Sequence, residues 1–248
     1  MEDCLAVEGL SKDYGRKNIV KSLEFQVKQG QVLAFLGPNG AGKSTTMNMI
    51  GTLLAKSEGK IYIDRSDMDT DKNEIKRKIG MVFQEDVLDD DLTVYQNLWY
   101  RGGLYWKHDR ELKKQIMDLI QLLEMEKMQH QKYRECSGGQ RRLAQIARAL
   151  ISKPRLLILD EPTTGLDPVT RQHVWDVLLK LKEQLQMTIF YTTHYLDEAS
   201  FADTLCILKD GRIAACGSLK EIQAKWKHTL KTPGLDDIYF QLLKGEAL

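Results

Sequence analysis

Apolar and polar residues alternate along the chain in two kinds of pattern, short apolar runs and longer helical repeats. The short runs are bounded by glycine, aspartate or proline, which is typical of strands. Several of them are apolar without interruption, which favours strands buried on both faces of a parallel sheet. Strands are predicted at residues 4–10, 17–27, 31–37, 155–160 and 187–193.

Helical spacing predicts the segments between these strands. A helix is expected from Lys43 to about Leu53, and the pattern is helical again from Thr93 to Ile151, where Thr93 and Gln96 have the spacing of a capping box. This second region is a candidate helical insertion. Its longest apolar stripe consists of Leu112, Ile116, Leu119, Ile120 and Leu123.

A further helix is predicted between the last two strands. Asp167 can cap its start, and Pro168 suits its first turn. We expect one apolar face, made of Val174, Val177, Leu178, Leu181 and Leu185. Beyond the last of these strands, Asp210 and Gly211 separate two apolar runs, which predicts a hairpin.

Composition narrows the class of protein. The 248 residues are 42% hydrophobic, enough for a sizeable core, and the formal net charge is 36 − 35 = +1. The charges are interspersed, so no basic tail indicates nucleic acid. No apolar run approaches the roughly 18 residues that a membrane span needs, and the acidic start MEDC is unlike a signal peptide. By itself the chain is expected to stay in the cytosol.

The four cysteines do not follow a metal-binding spacing. Cys4, Cys136, Cys206 and Cys216 form no CxxC pair and have no suitably spaced histidine. A zinc site is therefore not expected. Packed thiols in a reduced setting are the preferred interpretation.

The segment GPNGAGKST supplies the strongest chemical signal, because it follows a predicted strand and opens a predicted helix. Its glycines allow backbone N–H groups to surround a phosphate, and the helix start adds its positive dipole end. Lys43 can reach the β- and γ-phosphates of a nucleotide, Ser44 can bind Mg²⁺, and Thr45 can contact the α-phosphate. The predicted loop consists of Gly37, Pro38, Asn39, Gly40, Ala41, Gly42, Lys43, Ser44 and Thr45.

Two acids follow the strand in RLLILDEP. Asp160 is placed at the carboxyl edge of the sheet, where it can hold the magnesium shell. Glu161 comes next and is a candidate for orienting or deprotonating an attacking water. His194 ends another apolar strand and could donate to the γ-phosphate.

A second small-residue loop precedes the helix QRRLAQIARAL. Ser137, Gly138 and Gly139 lack a neighbouring phosphate-binding lysine, yet an ordinary N-cap would not require two glycines. The predicted helix has an apolar inner face, which consists of Leu143, Ile146, Ala147 and Leu150. From the residues alone, the loop is either an N-cap or an anion site.

Taken together, these motifs resemble a known family. GPNGAGKST, Gln84 after MVF, CSGGQ, LLILDEP, the GLD of TTGLDP and His194 occur in the order and approximate spacing of the nucleotide-binding subunit of an ATP-binding cassette (ABC) transporter. The resemblance implies a head-to-tail dimer, in which the CSGGQ loop of one copy covers ATP bound to GPNGAGKST of the other. Ser137, Gly138, Gly139 and Gln140 would then contact a nucleotide held by the second copy. The family usually has leucine where this chain has Cys136.

The resemblance also implies roles for single residues. Tyr14 is similar to the aromatic residue that stacks on adenine, although a packed strand-end tyrosine is an alternative interpretation. Gln84 is similar to the glutamine that touches Mg²⁺ or water and links the catalytic core to the insertion. Asp167 is similar to an aspartate at the dimer contact, a role compatible with helix capping.

The implied fold is an α/β phosphate-loop NTPase core with a mixed, mainly parallel sheet. An antiparallel β subdomain lies near the N-terminus, and a helical subdomain is inserted. The expected single domain comprises an ATP-binding core at 1–85 and 154–217, a helical subdomain at 86–153 and a C-terminal helical tail at 218–248.

Three stretches are similar to exporters of the drug-resistance type: VFQEDVLDDDLTVYQNL, YTTHYLDEASFADTLCILKDGRIAACGS and PGLDDIYFQLL. The implied partners are a second ATPase copy and a separate membrane permease on the cytoplasmic face. Alternatives are a nutrient importer subunit and, less favoured, an ATPase acting on nucleic acid or ribosomes. No nucleic acid partner is expected. The aromatic and basic cluster of Trp99, Tyr100, Arg101, Tyr105, Trp106, Lys107 and Arg110 is interpreted as core packing or a permease surface rather than a base-stacking platform.

Overall fold

A computed structural model describes residues 2–226 and 234–244, and within them it contains two β-sheets and eight α-helices. The strands are β1 Asp3–Tyr14, β2 Lys17–Lys28, β3 Val32–Leu36, β4 Glu58–Ile63, β5 Ser66–Asp67, β6 Ile79–Val82, β7 Leu156–Asp160, β8 Thr188–Thr193, β9 Thr204–Lys209 and β10 Arg212–Gly217. The helices are α1 Lys43–Ile50, α2 Lys72–Lys78, α3 Val94–Gly102, α4 Asp109–Leu122, α5 Gly138–Leu150, α6 Pro168–Leu185, α7 Leu219–Trp226 and α8 Leu235–Lys244.

The larger sheet has six strands in the order β10-β9-β3-β8-β7-β6. Five of them run parallel, and only β10 is antiparallel to its neighbour β9. The smaller sheet is antiparallel, with the order β2-β1-β4-β5. The predicted α/β fold, with a mixed, mainly parallel sheet and an antiparallel sheet near the N-terminus, is confirmed.

Alternate residues of β3 separate the interior into two cores. Val32, Ala34 and Leu36 pack with the helical layer of α3–α6, while Leu33 and Phe35 pack against the smaller sheet and α1. All five residues are buried, as expected for a strand covered on both faces. The six-stranded sheet is therefore a rigid middle layer between helices on one side and the antiparallel sheet on the other.

The predicted helix caps are present. Thr93 Oγ1 accepts from the Gln96 amide at 3.1 Å, and Gln96 Oε1 accepts from the Thr93 amide at 2.8 Å, so this capping box is confirmed. Asp167 caps α6, with Pro168 in the first turn. The apolar stripe of α4 and the hairpin around Asp210 and Gly211 are likewise confirmed.

Two helix predictions are wrong in detail. α1 ends at Ile50 rather than near Leu53, because Thr52 adopts a positive φ of 63°, which a right-handed helix does not contain. Leu185 is the last residue of α6, and its side chain is 48% exposed instead of facing the core.

The cysteine prediction is also corrected. Cys206 and Cys216 face each other across the β9–β10 hairpin and form a disulfide, whereas Cys4 and Cys136 are free and buried. The spacing of the cysteines along the chain does not reveal this pair, because the pairing depends on the register of the β9–β10 hairpin. Packed thiols are therefore correct for two of the four cysteines.

The aromatic cluster of the helical layer is mostly packed. Trp99, Tyr105 and Trp106 lie against the larger core, and Trp106 Nε1 donates to the Ile151 carbonyl at 2.8 Å. Tyr100 differs, with 64% of its surface exposed. Core packing thus accounts for three of the four rings.

Within the described residues, none of the helices combines the length and the apolar character needed to cross a bilayer. Of the predicted C-terminal tail, the structure describes α7 and α8. Residues 227–233 and 245–248 of that tail lie outside the described residues.

We predict that Gly59→Ala destabilises the fold more than Gly15→Ala. Both glycines have positive φ, which costs an alanine about 1–2 kcal/mol, but only a Cβ at Gly59 meets backbone, 2.5 Å from the Gly9 carbonyl oxygen. A Cβ at Gly15 has no neighbour within 4 Å. Denaturant unfolding should show that Gly59→Ala lowers the free energy of unfolding by about 1–3 kcal/mol more than Gly15→Ala does. Equal losses at the two positions would contradict this prediction.

Candidate functional site

The ends of three neighbouring parallel strands position the predicted reacting residues. β3 leads into the glycine-rich loop, β7 ends at Asp160, and β8 ends immediately before His194. Their register aligns these ends, since Leu36 pairs with Thr193 and Asp160 pairs with Thr192. A cavity of about 540 Å³ opens at this edge, lined by Ile19, Asn39, Gly40, Gly42, Lys43, Ser44, Thr45, Gln84, Glu161, Thr164 and His194.

Lys43 is held in place by the loop that precedes it. Its ammonium donates to the carbonyl oxygens of Gly37 at 2.7 Å and Pro38 at 3.2 Å, and the residue is only 5% exposed. Burial lowers the pKa of Lys43, an effect that the nearby carboxylates of Glu161 and Asp160 oppose. The cation is thus fixed at the base of the cavity, where an anionic ligand would compensate its desolvation.

Asp160 lies beside the hydroxyl of Ser44. The Ser44 Oγ donates to Asp160 Oδ1 at 3.3 Å, and Thr192 Oγ1 donates to the same oxygen at 2.6 Å. A hydroxyl and a carboxylate are hard oxygen ligands of the kind that Mg²⁺ prefers. No cluster of three or more histidine, cysteine or acidic residues suited to a metal occurs in the described part of the chain. The donor set therefore fits an ion that also takes oxygens from a phosphate.

Glu161 has a constrained backbone and a shielded carboxylate. Its φ is 45°, a left-handed conformation that is unfavourable for glutamate, and its side chain is 11% exposed. Glu161 Oε2 accepts from Thr164 Oγ1 at 3.0 Å and lies 3.2 Å from His194 Nδ1. The cavity edge thus brings Glu161 and His194 into contact.

Thr192 was not identified from the sequence, although it contacts both acids. Its hydroxyl donates to Asp160 and accepts from the Glu161 amide at 3.1 Å. The available signal was a threonine pair at the end of an otherwise apolar strand, YTTH. A fully buried hydroxyl there needs partners, and the neighbouring strand supplies them.

Ser137 caps α5 through a second capping box. Ser137 Oγ accepts from the Gln140 amide at 3.4 Å, and Gln140 Oε1 accepts from the Ser137 amide at 2.9 Å. Ser137 and Gly138 are exposed, and none of residues 137–140 lines the cavity that contains Lys43. The structure therefore does not bring this loop to the phosphate loop of its own chain.

The two glycines of this loop have a reason within the chain. A Cβ at Gly139 would lie 2.4 Å from Thr170 Cγ2, and one at Gly138 would lie 3.1 Å from Leu166. The loop is packed against the start of α6, so close approach alone requires small residues. The two glycines therefore do not by themselves indicate a ligand.

The residues on either side of Gln84 are connected to α5 by side-chain hydrogen bonds. Arg142 Nη1 donates to the Phe83 carbonyl at 2.8 Å. Asp86, two residues after Gln84, accepts from Arg141 at 2.9 Å, from Tyr133 at 2.9 Å and from Gln145. The segment carrying Gln84 is thereby fastened to the helix that Ser137 caps.

Tyr14 and Asp167 lie outside the cavity lining. Tyr14 is 51% exposed, with Lys12 Nζ 5.0 Å above its ring, and Ile19 is the neighbouring apolar residue that lines the cavity. Asp167 Oδ1 accepts from the amides of Val169 and Thr170, each at 3.1 Å. A hydrogen bond from the Thr170 hydroxyl lowers the pKa of the Asp167 carboxyl most, and one from the Thr170 amide lowers it further.

Comparison with known proteins assigns the family. A family profile described as "ABC transporter" matches residues 20–164, more than half of the chain. The chain belongs to the ABC transporter family. Among curated relatives, the linearmycin resistance ATP-binding protein LnrL of Bacillus subtilis is 37% identical over 219 residues, which cover 88% of this chain and 70% of LnrL.

Other relatives of this ABC chain are named for different roles. The Nod factor export ATP-binding protein I of Rhizobium johnstonii is 41% identical over 210 residues, covering 84% of this chain and 67% of that protein. The choline transport ATP-binding protein OpuBA of Bacillus subtilis is 38% identical over 222 residues, covering 88% and 58% respectively. The chain is thus similar to ATP-binding proteins with several cargoes.

Solved structures agree with the assignment of the chain as an ABC ATPase. CbiO1 of Clostridium perfringens, part of the ABC transporter complex cbiONQ, has a TM-score of 0.83 and 29% identity, covering 93% of this chain and 97% of that one. The ATP-binding cassette MJ0796, in a dimeric post-hydrolysis state with ADP and Pi, has a TM-score of 0.77 and 31% identity, covering 87% and 98%. This ABC chain is an ATPase subunit.

We predict that Thr192→Val lowers the kcat of ATP hydrolysis about 10- to 100-fold, because the variant loses the hydroxyl that orients Asp160 and the Glu161 backbone. Thr188→Val is the matched control. Thr188 is equally buried on β8, but its hydroxyl accepts from the Gly30 amide at the opposite end of the strand. Steady-state kinetics should show near-normal kcat for the control, and a similar kcat for both variants would contradict the prediction.

Proposed function

We propose that two copies of this chain enclose two ATP molecules in a head-to-tail dimer and power export through a separate membrane permease. One observation supports the proposal most strongly. The cavity contains Lys43, Ser44, Glu161 and His194, whereas the exposed Ser137 loop lies outside it. Each chain then contributes the second half of its partner's nucleotide site.

The start of α5 is suited to covering a phosphate. Backbone N–H groups at the start of a helix, together with the helix dipole, favour an anion. The capping box fixes the Ser137 side chain, and the contacts of α5 with the Gln84 segment hold the loop in position. The N-cap and anion-site interpretations of the loop are therefore compatible.

Within one half-site, Glu161 acts on water and Lys43 binds phosphate. The Glu161 carboxylate accepts a proton from a water that attacks the γ-phosphorus, the bond to the β–γ bridging oxygen breaks, and ADP and phosphate result. His194, 3.2 Å from Glu161, can donate to a γ-phosphate oxygen. Ser44 and Asp160 would hold Mg²⁺, which when bound neutralises charge on the triphosphate.

The γ-phosphate connects chemistry to motion. Contacts from both copies to this group stabilise the closed dimer, and hydrolysis removes them. Gln84 lies at the cavity, and Asp86, two residues later, accepts from Arg141 of α5, so a shift of the Gln84 segment would move the helical layer. Opening and closing of the seam would then act on the permease.

We predict that Glu161→Gln binds Mg-ATP and forms a long-lived dimer with little turnover, because the amide cannot accept the proton of the water. Light scattering after gel filtration should give twice the mass of one chain. The control is Glu161→Gln combined with Lys43→Ala, which should remain monomeric. A monomeric Glu161→Gln protein in saturating Mg-ATP would contradict the head-to-tail dimer.

A groove beside the Gln84 segment is the proposed permease contact. It has a volume of about 280 Å³ and lies where the end of α1, β6, α3 and α5 approach each other. The groove is lined in part by the apolar and aromatic residues Leu53, Met81, Phe83 and Tyr105. Leu53 is 58% exposed, although it is a large apolar side chain.

The charge of this groove indicates the chemistry of its partner. Its lining includes Lys76, Arg101 and Arg148, and it includes no acidic residue among those described. Burial, and then the neighbouring Arg101 charge, lowers the pKa of Arg148. A permease segment with an apolar face and a carboxylate would complement this surface.

We predict that Arg101→Glu abolishes co-purification with the permease in detergent, since it places a negative charge where a carboxylate should bind. Nucleotide binding by the isolated chain should remain unchanged. Lys114→Glu, an exposed position on α4 outside the groove, is the control. Retention of the permease by Arg101→Glu would contradict the proposed contact.

Export is favoured over import because of two relatives named for linearmycin resistance and Nod factor export, and because of the three stretches similar to exporters. The relative named for choline transport supports the alternative of a nutrient importer. Attachment to the cytoplasmic face of a membrane follows from the proposed permease partner. Compounds that raise the ATPase activity of the purified complex would identify the cargo.

A further inference from the structure

Glu198 is a buried acidic residue that the proposed chemistry does not use. It lies in the 3₁₀ turn Asp197–Phe201, four residues after His194, and is 1% exposed. A buried carboxylate is costly, and an apolar residue of similar size would often serve stability as well. Its contacts therefore call for a functional explanation.

The two carboxylate oxygens of Glu198 bind two different segments of the site. Oε1 accepts from the hydroxyl of Thr163, two residues after Glu161. Oε2 accepts from the hydroxyl of Thr193 at 2.5 Å, immediately before His194. Both threonines are 1% exposed, so water does not compete for these hydrogen bonds.

The backbone near His194 is ordered by the same contacts. Thr193 Oγ1 also accepts from the Tyr195 amide at 3.0 Å, which closes a turn around His194. Tyr191 Oη donates to the Glu198 carbonyl at 2.6 Å and ties the 3₁₀ turn to β8. The position of His194 is therefore fixed from both sides.

Arg171 extends this arrangement to α6. Its guanidinium lies 3.6 Å from Glu198 and 2.8 Å from Asp197, and it stacks 4.1 Å from the Tyr195 ring, whose other neighbour is the His194 ring at 4.2 Å. The Arg171 amide donates to the Asp167 carbonyl at 2.9 Å. Glu198 is thus linked to the loop that carries Asp167.

We infer that Glu198 is a positioning residue for ATP hydrolysis, whose carboxylate sets the spacing between the segments that carry Glu161 and His194. Through Arg171, it also couples that spacing to the Asp167 loop. Because Asp167 is expected at the dimer contact, any coupling of Glu198 to a second copy rests on the proposed head-to-tail dimer. The positioning of Glu161 and His194 within one chain does not depend on that dimer. A glutamine amide at this position has only one oxygen. It therefore cannot accept from the Thr163 and Thr193 hydroxyls through two separate oxygens, as the carboxylate does.

The test compares Glu198→Gln with the wild-type chain in kcat, in KM for Mg-ATP and in the dissociation constant of a fluorescent ATP analogue. We expect kcat to fall about 10- to 100-fold, with KM and the dissociation constant within about twofold. Thr163→Val should produce a similar loss. The double variant should lose little more than either single variant, because both remove the same contact.

Asp203→Asn is the control for loss of a hydrogen-bonded carboxylate away from the nucleotide site; unlike Glu198, Asp203 is exposed. Asp203 accepts from the Val32 amide at 2.8 Å and from Lys182 at 2.7 Å, and it lies at the end of β3 opposite the phosphate loop. This variant should retain wild-type kcat. Thermal unfolding of all variants establishes that each is folded at the assay temperature.

Two results would overturn the inference: wild-type kcat in Glu198→Gln, or an equal loss of kcat in Asp203→Asn. If Glu198→Gln does not fold, Thr163→Val and Thr193→Val decide the question by the same criteria. Failure of the dimer proposal gives a different result. In that case Glu161→Gln stays monomeric in Mg-ATP, while Glu198→Gln still lowers kcat.

Discussion

The shared edge of three parallel strands determines where the side chains proposed to react lie. β3, β8 and β7 are neighbours in the sheet, and their carboxyl ends are in register to within one residue. The phosphate loop, His194 and the Asp160–Glu161 pair therefore meet without long connecting segments. Burial of β3 on both faces makes this edge rigid, because movement of one strand would disrupt two cores.

Threonine hydroxyls and one buried acid refine this arrangement. Thr192 joins the backbone of Glu161 to Asp160, and Glu198 joins the segments on either side of the cavity through Thr163 and Thr193. These contacts are shielded from water, so removing one of them should change the geometry of the site more than removing a surface contact would. The left-handed backbone of Glu161 is maintained within this network.

Local patterns in the sequence predicted much of the fold. The capping box of Thr93 and Gln96, the Asp167 cap and the strand before GPNGAGKST depend on residues a few positions apart. Thr192 and Glu198 could not be predicted in this way, since their roles depend on which strands are adjacent. The Cys206–Cys216 pair and the exposure of Leu185 were predicted wrongly for a similar reason, because hairpin register and the edge of the helical layer are tertiary features.

We propose that a second copy of the chain completes the nucleotide site. An experimental structure of the Glu161→Gln protein with Mg-ATP, at a resolution that defines side chains, tests this proposal. We predict that Ser137 Oγ and the amides that follow it lie within hydrogen-bond distance of a γ-phosphate held by Lys43 of the other copy. A nucleotide-loaded structure in which Ser137 faces only solvent would contradict it.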